Sequence, residues 1–135
     1  NGELVRLCYS GKYTEKEMIK QLVGKAGFNA YCGSNDARDI EAMAKNGDKH
    51  AQLVFDAFLY QVSKDIGAQA AVLSGKVDQI ILTGGIAYGK YATEEITKRV
   101  KFIAPVTVYG GEDELLALAQ GALRVLNGEE EAKVY

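Results

Sequence analysis

Histidine, cysteine and proline are almost missing from this chain of 135 residues, which has one His, two Cys and one Pro. Cys8 and Cys32 are too few for a disulfide scaffold, and with His50 they form no metal-ligand spacing, which argues against a disulfide-stapled or zinc-stapled fold. Reduced thiols in a cytoplasmic protein are the expectation. No apolar run approaches the ~20 residues that cross a bilayer, so no membrane partner is expected. No dense basic stripe is present either. The 16 basic and 18 acidic residues are spread along the whole chain and leave a net charge of −2, so nucleic acid is a poor candidate partner. No repeat or low-complexity linker divides the sequence. Its first residues are the turn dipeptide Asn1-Gly2 and not a charged-then-apolar leader, and the chain is read as a piece of something longer.

What is present suits one ordinary domain, residues 1–135: hydrophobic residues make up 47% and charged ones 25%, which excludes a disordered chain. A globule of this length buries about 68% of the surface its unfolded chain exposes, enough for a core. Leu4 to Tyr9 alternates, with Val5, Leu7 and Tyr9 on one face, and predicts a short strand. Thr14 and Glu17 form a capping-box pair ahead of Met18, Ile19, Leu22 and Val23, so Thr14 to Val23 reads as an amphipathic helix stopped by Gly24.

Ser34, Asn35 and Asp36 are successive N-cap candidates before ARDIEAMAK, which Asn46-Gly47 closes. From Asp48 a long helix follows, with Ala51, Val54, Phe55, Phe58, Val62, Ile66, Ala70 and Leu73 at three- and four-residue steps. Unbroken to Ser74 it would extend ~40 Å, and Gly67 within it suggests close packing. Val77 to Leu82 predicts a buried strand, Ala92 or Thr93 to Arg99 a helix, Phe102 to Tyr109 a second strand with Pro105 removing a donor, and the segment through Leu126 a last helix before a frayed tail. Strand, helix, strand is the pattern of a parallel crossover. So few strands imply either further strands outside the chain or an unusually helical α/β fold.

The densest chemistry lies in TGGIAYGKY, Thr83 to Tyr91. Three readings of it stand. Glycines after a strand can be a plain turn into a helix. From Gly84 the spacing G-x-x-x-x-G-K is one residue short of a Walker-type phosphate loop, but Tyr91 stands where a small hydroxyl would hold Mg²⁺. Small residues between a strand end and a helix can also let a nucleotide approach the backbone closely.

SNDARDI (Ser34 to Ile40), the long helix, VDQIILTGGIA (Val77 to Ala87) and GEDELLALAQGALRVL (Gly111 to Leu126), taken together and in order, resemble the carboxyl-terminal part of the acetate and butyrate kinases. LVRLCYSGKYTEKEM fits the butyrate branch. The resemblance implies a ribonuclease-H-like second domain of the actin-like ATPase superfamily, incomplete and helix-rich here. It implies ATP or ADP and Mg²⁺ as cofactors, and transfer of the γ-phosphoryl group to a short-chain carboxylate. By that match Gly84, Gly85, Ile86 and Ala87 form the adenosine turn. Ala87 departs from the glycine common in acetate kinases.

Asp36, Ala37 and Arg38 match the segment lying against the nucleotide, with a helix-start acid and its solvated neighbour as the bland alternative. Asp113 and Glu114 match an acidic pair linked to the metal, with Glu112 replacing a neutral residue; acids in a helix's first turn are also ordinary dipole partners. Tyr88 and Lys90 rank below these. The family's Asn-x-Gly-Ser, His-Arg and His-Gly-Gly segments are absent, so the resemblance implies the distal part of a larger kinase, partnered by its amino-terminal half and inactive alone. It also implies a homodimer or higher homo-oligomer. A non-catalytic assembly module and a degenerate phosphate-loop hydrolase are the alternatives.

Overall fold

In the computed structural model, which describes residues 2–111 and 114–133, one long helix carries the packing. This is α5, Lys49–Val72; the helices before it are α1 (Gly2–Cys8), α2 (Glu15–Leu22), α3 (Phe28–Cys32) and α4 (Ala37–Lys45). Strand β1 (Ile80–Leu82), a 3₁₀ turn (Gly85–Tyr88), α6 (Lys90–Val100), β2 (Val106–Val108) and α7 (Glu114–Leu126) follow. At 1.5 Å per residue the 24 residues of α5 extend about 36 Å. Asp48 caps it, its carboxylate accepting from the N–H groups of His50 (2.9 Å) and Ala51 (3.0 Å).

Buried positions of α5 recur every fourth residue: Ala51, Phe55, Leu59 and Ser63. Against that stripe pack Ile40 of α4, Ile96 and Val100 of α6, and Ile80 of β1, forming a single core in which Ile40, Phe55, Leu59, Ile96 and Val100 are fully buried. Phe28 of α3 joins at one end, its ring 4.8 Å from that of Phe58. The strands pair in parallel, Ile80 with Val106 and Leu82 with Val108, as the crossover through α6 predicts. No helix among the described residues is long and apolar enough to cross a membrane.

Four expectations change. Leu4 to Tyr9 is no strand but belongs to α1 and the turn after it. A strand must find its backbone partners on a neighbour, whereas a helix satisfies them within itself, and Arg6 Nη1 sits 2.6 Å from Glu3 Oε1 one turn back to support it. Both predicted strands shrink to three residues: irregular chain occupies 77–79 and a turn runs through Phe102, and β1 is buried only at Ile80, with Ile81 on an exposed face. Helix α6 begins at Lys90, ahead of Ala92 and Thr93, and the Thr93 hydroxyl donates back to the carbonyls of Gly89 (3.2 Å) and Lys90 (3.0 Å). Gly67 marks no close contact, since a Cβ there would meet nothing within 4 Å.

The capping box at Thr14 forms as read: its N–H donates to Glu17 (2.8 Å), while Glu17 N–H donates to the Thr14 hydroxyl (3.4 Å). Of that helix's apolar stripe only Met18 is buried; Ile19, Leu22 and Val23 face out. Cys32 packs half-buried against the core, Cys8 is exposed, and the exposed His50 ring lies 3.1 Å from the Tyr31 carbonyl. Helix α7 runs to Leu126 as expected, with no buried residue; Leu115, Leu118 and Leu126 point outward.

Candidate functional site

Two segments far apart in the chain meet between the start of α4 and the turn after β1. The start of α4 depends on Asp36. Its Oδ1 accepts from Arg38 N–H (2.9 Å) and Nε (3.0 Å), and its Oδ2 from Nη2 (2.5 Å), so one carboxylate caps the helix and holds the guanidinium in a fork. That side-chain hydrogen bond from Arg38 lowers the Asp36 carboxyl to about 2. Ser34 braces the same turn, its hydroxyl donating to Asp39 (2.6 Å) and accepting from Asp36 N–H (3.1 Å). Asp36 is thus the helix-start acid of the bland reading, and Arg38 is presented as a fixed plate in place of a loose cation.

On the other side, β1 delivers the chain into Gly84, whose φ of 82° lies in the left-handed region that favours glycine. Its N–H and carbonyl are both engaged across the sheet end by the Gly111 carbonyl and N–H, each at 3.3 Å. Gly84 therefore ties the two strand ends together, and its amide is already used. Gly85 differs: a Cβ there would meet nothing within 4 Å, because it borders open space. Tyr88 lies across Gly110 and Gly111, where added side chains would collide with its ring.

A cavity of about 740 Å³ lies between these elements. Asp36, Ala37 and Arg38 line one side and Gly85 and Ile86 the other, with Phe55 and Ala92 contributing from α5 and α6. Five of the seven residues read as the adenosine site converge here. The other two do not: Gly84 is in the strand-end bridge, and Ala87 is buried behind the turn. Tyr88 and Lys90, ranked lower from sequence, do line the cavity, as do Gly89, Glu41 and Lys45, which sequence reasoning passed over. A signal for the last two existed, since Ala37, Glu41 and Lys45 follow at four-residue steps on one helix face.

Of the expected metal pair, only Glu114 belongs to the described residues. Glu114 lines a separate open depression of about 600 Å³ with Thr83, Tyr109 and Gly111, while Asp113 and Glu112 lie outside the described residues. Among the described residues no three His, Cys, Asp or Glu side chains are grouped to hold a metal.

Tyr91, at the position that distinguished the phosphate-loop reading, turns to α5. Its hydroxyl donates to Asp56 Oδ1 (2.7 Å), and Gln52 Nε2 donates to the same oxygen (2.9 Å) and to the Tyr91 hydroxyl (3.1 Å). The hydrogen bond to the carboxylate holds the phenol proton on, so its pKa is pushed up to about 12. The network locks the start of α6, and hence the wall at Lys90, against the long helix.

Comparison with known proteins adds four findings. The pattern defining the acetokinase family matches residues 6–131. Butyrate kinase 2 of Clostridium acetobutylicum is 62% identical over 135 residues, a match covering 100% of this chain and 38% of that protein. A probable butyrate kinase of Clostridium botulinum (strain Alaska E43) is 54% identical over 134 residues, covering 99% and 38% respectively. The crystal structure of Porphyromonas gingivalis acetate kinase superposes with a TM-score of 0.76 at 24% identity, covering 93% of this chain and 38% of that one. The structural likeness carries the fold, a helix-rich part of an actin-like ATPase domain with a small parallel sheet. The chain spans 38% of the length of these relatives.

Proposed function

The chain belongs to the acetokinase family, and on that premise we propose that it forms the nucleoside-binding wall of a kinase that converts ATP and butyrate, or a related short-chain carboxylate, to an acyl phosphate and ADP. The observation that carries this reading is the convergence of Asp36, Ala37 and Arg38 with Gly85 and Ile86 on one cavity. Its volume, about 740 Å³, is within the range of small-molecule sites. Ile86 supplies apolar surface for a base in a wall backed by the buried Phe55 and Ala92, Gly85 leaves its Cβ space free, and Arg38, Lys45 and Lys90 bring positive charge for a polyanion.

In this role the chain positions the nucleotide. Phosphoryl transfer depends on such placement and on charge neutralisation at the transferred group. Of the acidic pair tied to Mg²⁺ by the family match, Glu114 lines the second depression, and no step is assigned to the metal on this chain. Against a phosphate-loop hydrolase stands Tyr91, whose hydroxyl is committed to Asp56. Binding the carboxylate and completing the reaction fall to the remainder of the larger enzyme.

The assembly reading draws on one observation, the outward-facing leucines of α7. Titrating ATP or ADP into the protein that carries this chain separates the two. The kinase reading expects amide shifts at Arg38, Gly85 and Ile86. Unmoved amides at saturating nucleotide, together with a stable oligomer in sedimentation, would leave assembly as the better description.

A further inference from the structure

Glu41 and Lys45 lie on the wall of the cavity without a part in the site as read from sequence. Glu41 is well buried for a carboxylate, its side chain 15% exposed. Its Oε1 is buried and 2.9 Å from Lys45 Nζ, an ion-pair distance, yet among the described residues no donor is aligned on it as a hydrogen bond. Its Oε2 lies beneath Gly89, 3.3 Å from where a Cβ on that glycine would stand. The same Cβ would stand 3.3 Å from the Ile86 carbonyl. Gly89 has φ −75° and ψ 106°, a conformation open to any residue. A side chain at residue 89 would crowd the Ile86 carbonyl and the Glu41 carboxylate alike, so the glycine leaves room for both.

A buried carboxylate offers about four lone-pair sites and only accepts. Leaving it short of donors is costly, and a cation one helical turn away satisfies its charge better than its hydrogen-bonding capacity. Glu41 lines the same cavity as Arg38, Phe55 and Ala92. Resting on the nucleoside reading of the cavity, we propose that Glu41, charge-balanced by Lys45 at the sealed Oε1 and given space by Gly89, is a specificity residue whose other oxygen, Oε2, accepts a hydrogen bond from an N–H or O–H donor of the nucleoside. Two groups of an adenosine nucleotide qualify, the exocyclic amine of the base and the ribose 2′-hydroxyl.

Calorimetric titration of the protein that carries this chain with ATP, inosine triphosphate and 2′-deoxyATP tests it, in wild type and Glu41→Ala. Removing a charge-assisted hydrogen bond is expected to weaken ATP binding roughly tenfold. The analogue already lacking the donor should lose almost nothing. Insensitivity of the inosine nucleotide to E41A assigns the base amine, and insensitivity of the deoxynucleotide the ribose. Equal weakening of all three ligands, or of none, overturns the inference while leaving the nucleotide site standing. Failure of the wild type to bind any of them overturns both together. Glu41→Gln keeps the shape and one neutral acceptor; its expected loss is roughly fivefold with the same ligand pattern, which decides the matter if E41A does not fold.

Discussion

Replacing Tyr91 by Phe removes one hydroxyl and nothing else from the contact between α5 and α6. The lost bond is the 2.7 Å donation to Asp56 Oδ1. Hydrogen bonds to charged groups contribute about 1.5–3 kcal/mol. Gln52 still donates to the same oxygen at 2.9 Å, and the site is only half-buried, so the expected cost is about 1–2 kcal/mol. Amide exchange over Thr93 to Val100 measures this locally: a cost of that size accelerates exchange roughly five- to thirtyfold, with little change in α2.

A second arm uses pH. A phenol whose folded pKa is raised from the ordinary 10 to about 12 keeps its proton longer in the fold. Its contribution is fully present below about pH 10 and is lost as pH rises through about 12. Ultraviolet titration of tyrosinate, wild type minus Y91F, should therefore show one group titrating near 12. A midpoint near 10, or unchanged exchange in α6, would refute the argument that this network fixes the wall of the cavity.

Asp36→Ala should accelerate amide exchange in the first turn of α4 and release Arg38, weakening nucleotide binding. Because the carboxyl is held down to about 2, its contribution is present above about pH 4 and is lost as pH falls through about 2, so acid should erase the difference from wild type. Phe55→Ala, fully buried and part of the cavity wall, is expected to cost about 3–5 kcal/mol in denaturant unfolding and to weaken ATP binding further. Gly84→Ala forces a side chain to φ 82° at a cost of order 1–3 kcal/mol; the damage should appear as faster exchange at Gly111 and Tyr109, across the strand ends.

Legibility from sequence followed the range of the interactions. The α4 start and stop could be read because Asp36 and Gly47 act on backbone within a few residues of themselves. The same holds for the capping box at Thr14. Leu4 to Tyr9 misled because alternation signals a strand only where a sheet exists to receive it. The helix signal for α6 begins at Ala92 and Thr93, two to three residues late, because only the path of the chain before them decides where the first turn closes. The glycine pair was read as one unit, whereas Gly84 ties two strands and Gly85 borders the cavity.

By itself, the sequence determined the limits of α2, α4 and α5, the parallel crossover and the family, since these depend on side-chain type, local hydrogen bonding and the order of segments. Only the tertiary structure decided that Arg38 and Gly85 border one cavity, that Tyr91 belongs to Asp56, and that Gly89 makes room for Glu41. Those are contacts between elements distant along the chain, fixed by how α4 and α6 pack on α5, and no local pattern records them.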